Sequence, residues 1–409
     1  MTLQTALSGI LGAQTGLNTV SNDLANADTT AYKNETSLFE EVFQADANNV
    51  PGIGTATELL SKDFTQGNLT ATGNPLDAAI QGSGYFIISN NGTQQYTRDG
   101  AFQINSTTGV MQTANGATLL GYPQSTTGSL GSTLAAIKIN TGAVGANATA
   151  NLGLTLNLNS GDAVIPATTA FSASNPASYD ESTSVVAYDS LGNANRVQLY
   201  FVQNPPASTT APAAWKVYAQ PQLANGTNVG TPISLTTLNF STSGALTTGS
   251  PATLNVTWGN GAAPSSISFN LTGTTLGAQN FAVAGITNDG YAPGSYSGTT
   301  IAADGSVQST YTNGQTVSAG VIGLANFLNE QGLTPITGNL YASSPTSGEA
   351  VMNTPGTGLA GTLSGGNLES SNASTSSLLV QLIQYQQAYQ ANTSVIQTEQ
   401  QDTQRLVQI

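Results

Sequence analysis

The sequence predicts a mainly β chain with α-helical termini, organised as nested domains. Three observations carry that expectation. Apolar residues recur at alternating intervals of 3 and 4 near the N-terminus, a second helical stripe closes the C-terminus, and the residues between show period-2 alternation broken by tight-turn signals. Two helices at opposite ends of one chain imply a path that goes out and comes back. The expected architecture is a coiled-coil-like pair of terminal amphipathic helices, an extended connector and two antiparallel β domains, the outer inserted in the inner.

The first element is LQTALSGILGAQTGLNTVSNDLAN. Leu3, Ala6, Ile10, Ala13, Leu17, Val20 and Leu24 form an a/d stripe over three heptads. The helix is expected to stop near Asn26, where ANADTTAYK replaces helix formers with Asn, Asp and Thr. Gly9, Gly12 and Gly16 sit inside this helix. Each costs about 1 kcal/mol relative to alanine. GAQTG is a small-xxx-small pattern that lets another backbone approach closely. The glycines are therefore expected to clear space for a neighbouring chain, and Gly12→Leu to spare folding but block assembly.

Residues 27–75 show little period and read as an extended connector with some strand. Phe39, Val42 and Phe43 offer one short apolar face, and Pro51–Gly54, Gly67–Asn68 and Gly73–Pro75 punctuate the rest. From Leu76 short strands alternate with turns: YFIIS, NNG, QQYT, RDG, AFQIN, STTG, VMQTA, NG, ATLLGY. That spacing predicts an antiparallel meander. From about 146 to 284 the chain is richer in Thr and Ala. Alternation recurs at Val197–Leu199–Phe201, Leu254–Val256–Trp258 and Ile267–Phe269–Leu271, with a loop marked by Pro205, Pro206 and Pro212. Strands return after Tyr291, with turns at Asp304–Gly305 and Asn313–Gly314.

The last element places Leu378, Leu382, Tyr385, Tyr389, Ile396 and Leu406 on one helical stripe, with Asn392, Glu399 and Thr403 as its polar members and N-cap candidates between Ser370 and Ser377. Few Glu–Lys pairs support either terminal helix in water, so packing must supply most of their stability. Both stripes are expected to be subunit-interface positions. The predicted domains are 1–26 with 371–409 (helical polymerisation domain), 27–75 with 360–370 (connector), 76–145 with 285–359 (inner β domain) and 146–284 (outer β domain).

Composition narrows function. Charged residues make up 7% against a usual ~25%, and the net charge is −14 with only seven Lys and Arg. No basic patch can be built, so no nucleic-acid partner and no anionic membrane surface is expected. Histidine and cysteine are absent. That removes the commonest general base and metal ligand, as well as disulfides and thiolate chemistry. No enzyme activity, cofactor or metal is expected. TRDG, NDG and ADG read as hairpin turns rather than calcium loops, which need several clustered oxygens. No run of ~18 apolar residues predicts membrane insertion, and the absence of any cation before Lys33 predicts no Sec-type signal.

ALSGI…SNDLANADTTAYK resembles the N-terminal signature of the bacterial flagellar rod and hook axial proteins. FTQGNLTATGNPLDAAIQGSGYFIIS, YTRDGAFQI and GATLLGY resemble the stretch that follows it in that family. ANFLNEQGLTPITGNLYASSPTSGEAV, PGTG, GNLESSN and QAYQAN resemble the family's C-terminal region. The matches cover roughly half the chain in the family's order. The long middle unit fits the hook branch rather than the shorter distal-rod branch. The resemblance implies a bendable hollow helical homopolymer that passes torque from rod to filament. It implies as partners the distal rod protein, the hook cap, the hook–filament junction proteins and the flagellar type III export apparatus. It also implies an extracellular place in the hook and basal body, reached without a cleaved signal peptide. Gln387, Asp402 and Thr403 depart from the family pattern, so the last helical turns are expected to pack less tightly or to face a wetter part of the tube. The alternatives are another axial subunit of the distal-rod type, or a soluble all-β adhesin with Tyr and Trp as sugar platforms.

Overall fold

A computed structural model describes residues 2–42, 54–125, 128–166, 168–205 and 214–407. Phe43, Pro51, Pro206 and Pro212 lie outside the described residues, as does the side chain of Leu406. The chain divides into two units: Met1–Thr141 with Gly298–Thr310 and Thr316–Ile409, and Gly142–Ser297 with Tyr311–Gln315.

The first unit opens with helix α1 (Thr2–Ala25) and ends with helix α2 (Thr375–Val407). Ser374 precedes α2 as its cap residue, and its carbonyl accepts from Leu378 N at 2.9 Å. In the stretch read as an extended connector with some strand, β1 (Glu35–Glu41) and β2 (Thr55–Lys62) form an antiparallel hairpin. The returning chain is strand too: Thr362–Gly365 pairs with Ala78–Gln81, and Asn367–Glu369 with Leu69–Ala71. Between them runs the predicted meander. Tyr85–Asn90 pairs with Thr93–Thr97 through a turn in which Asn91 and Gly92 both have positive φ (51° and 85°). That is the left-handed pair a type I′ turn needs, which explains the NNG signal. Thr118–Pro123 and Leu324–Asn326 also pair with Tyr85–Asn90. This central strand is therefore paired along both edges, and its Tyr85, Phe86, Ile87 and Ile88 are all fully buried.

The second unit holds two sheets. One is an antiparallel meander of Glu181–Tyr188, Ala194–Gln203, Trp215–Gln222, Ile233–Phe240 and Leu246–Thr248. The other carries Ala252–Val256, Ser265–Asn270, Asn151–Asn159 and Thr275–Gly277, with Ala282–Asn288 along Asn151–Asn159. The unit is thus wider than 146–284, because Ala282–Asn288 completes a sheet begun at Asn151. Alternating Leu152, Leu154, Leu156 and Leu158 meet Val197, Leu199, Phe201, Leu254, Ile267 and Phe269 in one core. Trp215 and Trp258 belong to it as well, and the Trp258 indole N–H donates to Ser265 Oγ at 2.9 Å. Both tryptophans are core residues, so neither is a sugar platform.

Asp189 fastens this unit. Its buried carboxylate accepts from the amides of Leu191 (3.0 Å) and Asn193 (2.9 Å) and from the side-chain amides of Asn193, Asn195 and Asn260. Burial alone would raise its pKa, but these donors outweigh burial and hold it at about 2. A depressed carboxylate pKa stabilises the fold above the unfolded value of about 3.9, and that stability is lost as pH falls through about 2. Tryptophan fluorescence reports this unit alone, because both tryptophans lie in it. In urea unfolding followed that way, Asp189 should account for a loss of about 2 kcal/mol between pH 5 and pH 2. Asp189→Asn should be weaker at pH 7 and should lack this acid-dependent component.

Candidate assembly interface

α1 has three faces, and the structure gives two of them a neighbour within the chain. The first meets α2. A Cβ on Gly9 would lie 2.7 Å from the Asn392 side chain, and one on Gly16 would lie 2.5 Å from the Tyr385 ring. The two helices therefore run antiparallel, with Gly9 level with Asn392 and Gly16 level with Tyr385. Ala6, Ala13 and Val20 share this face and are buried, while Ile10, Leu17 and Leu24 are half-buried. On α2 Leu378 is buried, and Leu382, Tyr385 and Ile396 are half-buried.

The second face meets the β1–β2 hairpin. A Cβ on Gly12 would sit 3.5 Å from the Phe39 ring and from Thr55 Oγ1. Thr19 and Ser37 share a hydroxyl hydrogen bond at 2.9 Å, and Ser8 Oγ accepts from Thr55 N at 3.2 Å.

One expectation is corrected here. The glycines do clear space, but for Asn392, Tyr385 and the Phe39 hairpin of the same chain. The a/d stripes largely line the chain's own helix pair, with Ile10, Leu17, Leu24, Leu382, Tyr385 and Ile396 only half-buried there. Two antiparallel helices joined through a folded body account for that periodicity within one chain. Leu3 and Tyr389 are the exposed members of the two stripes, and Leu406 lies in α2 with its side chain undescribed. Gly12→Leu would press on the chain's own hairpin, so it no longer isolates assembly from folding.

The third face of α1 is open. Leu3, Leu7 and Leu11 are 47%, 50% and 57% exposed. On α2, Leu379, Val380 and Ile383 are 50%, 56% and 52% exposed. The register sets Thr2 of α1 level with Glu399 of α2, so α2 overhangs its partner by residues 400–407, about 12 Å. Asp402 and Thr403 lie in this overhang and are exposed, which accounts for polar residues where apolar ones were expected.

The SNDLANADTTAYK stretch anchors the helix pair. Buried Asp23 accepts from the Tyr32 hydroxyl at 2.8 Å and from Glu35 N at 3.1 Å, and Asn22 donates to the same hydroxyl at 3.0 Å. Burial raises the Asp23 pKa against the pull of those donors.

Below them is a buried ion triad that the sequence did not reveal. Glu369 Oε1 accepts from Lys33 Nζ at 2.6 Å and from Gly67 N at 2.9 Å, and its Oε2 accepts from Arg98 Nε at 2.7 Å. Lys33 also donates to Thr65 O at 2.6 Å. The Arg98 guanidinium donates to the carbonyls of Gly84, Gly82 and Ile80. All three side chains are buried. Burial lowers the Lys33 pKa, and Glu369 opposes that shift. The RDG of the meander is a turn, as expected, but its arginine points inward. In a chain with seven cations, an arginine beside a turn was the only available signal.

Among the described residues no cluster of three His, Cys, Asp or Glu side chains could hold a metal. No described helix is long and apolar enough to cross a membrane.

Comparison with known proteins gives three family matches. Residues 79–152 match the flagellar hook protein FlgE/F/G D1 domain. Residues 157–291 match the flagellar basal body protein FlaE D2 domain, and residues 364–409 match the flagellar basal body rod FlgEFG protein C-terminal family. The chain is 35% identical to the flagellar hook protein FlgE of Escherichia coli (strain K12), over 100% of both chains. It is 34% identical to that of Salmonella typhimurium, also over 100% of both, and 29% identical to that of Brucella abortus over 97% of this chain and 95% of the relative. Among solved structures, Helicobacter pylori flagellar hook protein FlgE2 aligns with a TM-score of 0.54 at 14% identity, over 72% of this chain and 98% of that one, which supports a shared fold.

Proposed function

From the premise that this chain belongs to the flagellar hook protein family and is a hook subunit, we propose that it self-assembles through its terminal helix pair into a hollow, bendable tube. The tube passes torque from rod to filament. The observation that carries this is an antiparallel pair of chain ends that still leaves aliphatic stripes open to solvent. The distal rod protein, hook cap, junction proteins and type III export apparatus are its proposed partners, and export without a cleaved signal peptide its proposed route. The proposed domains remain a terminal polymerisation domain, a connector and two nested β domains. No catalytic role is proposed.

Electron microscopy of the purified full chain tests this, with short curved tubes expected. At −14 per copy, like charges resist packing. Raising salt towards 0.15 M, where screening acts within ~8 Å, should therefore speed assembly as read by light scattering. Absence of tubes under all salt conditions, or slower assembly with salt, would count against the proposal.

A further inference from the structure

The two open stripes lie at opposite ends of the helix pair. Leu7 is level with Ser394 of α2, whereas Ile383 is level with Asn18 of α1, by the register that sets Gly9 against Asn392. Their centres are separated by about 20 Å along the pair. Neither stripe has a charged residue on its own stretch of helix. Residues 2–22 and 375–398 contain no Asp, Glu, Lys or Arg, in a chain of net charge −14. Two such helix segments can meet without placing their own like charges together. Two different patches at opposite ends make a heterologous contact, which propagates instead of closing into a dimer.

Resting on the assembly reading above, we propose that Leu3, Leu7 and Leu11 of one copy pack against Leu379, Val380 and Ile383 of the next. Each stripe offers three half-exposed aliphatic side chains, well short of the roughly 800 Å² per partner of a stable pair. Such a contact holds only when many others form with it. Free dimers are therefore not expected, and ordered tubes are.

The chain has no cysteine, so engineered disulfides report cleanly. Leu7 and Ile383 of one chain are offset by about 16 Å along the helix pair. A disulfide needs Cα atoms within about 7 Å, so none can form inside one copy. Tubes of the Leu7→Cys/Ile383→Cys variant, once oxidised, should give a ladder of linked chains on a non-reducing gel. Tubes that yield only monomers overturn the contact while leaving the assembly reading intact. Dimers from Leu7→Cys alone also overturn it, since they show like patches meeting. If the double-cysteine variant forms no tubes, a charge pair decides. Leu7→Glu and Ile383→Lys should each block assembly and together restore it, and failure to restore it overturns the contact. A wild-type chain that never forms tubes defeats the assembly reading, and this inference with it.

Discussion

Glu369→Gln should destabilise the protein by about 3–5 kcal/mol, read as a loss in chemical unfolding followed by far-UV circular dichroism. Glu369 is the carboxylate that bonds both buried cations, so the amide leaves Lys33 and Arg98 facing each other without it. Shape is nearly unchanged, hence the effect is electrostatic. An uncompensated buried charge costs more than the pair contributes, because a lone cation must be desolvated without its partner. Lys33 would relieve part of this by losing its proton, since burial already lowers its pKa and Glu369 is what opposes that shift. Lys33→Met combined with Glu369→Gln should therefore cost less than the two single effects added. Strict additivity would mean that the three groups do not act as a unit.

The second large effect separates two glycines in one helix. Gly12→Ala should be neutral or stabilise by up to about 1 kcal/mol, because alanine is the better helix former and its Cβ would rest at 3.5 Å from Phe39 and Thr55. The same change at Gly16 places a Cβ 2.5 Å from the Tyr385 ring. Overpacking of that kind costs about 1–3 kcal/mol, which cancels or exceeds the propensity gain. Gly16→Leu goes further and should splay the helix pair and abolish tube formation. An isolated peptide of residues 1–26 carrying Gly16→Leu should nonetheless be more helical than the parent. Tubes formed normally by Gly16→Leu would show that the α1–α2 approach is not needed for assembly.

Much of the fold was legible because period and turn chemistry are local. The 3.5-residue stripe gave both helices, NNG gave its hairpin, and Val197–Leu199–Phe201 gave a core strand. What covers a face is not local. The stripe of Ala6, Ala13 and Val20 has the same pattern whether its neighbour is another copy or the other end of the same chain. The open face was passed over for a related reason: Leu7 and Leu11 fall outside the heptad that organised the reading. Glu369 and Lys33 are 336 residues apart, and no pattern within a window can join them. A boundary at residue 284 cuts the strand Ala282–Asn288, whose partner begins at Asn151, far away in sequence.

The Lys33–Glu369 bond also dictates an order of events. Residue 33 appears early on the ribosome and residue 369 only when nine-tenths of the polypeptide exists. Until both have been made, Lys33 and Arg98 have no shared carboxylate, and the first unit lacks its internal fastening. A molecule built this way stays incomplete through most of its synthesis and closes in one late step that joins its two ends.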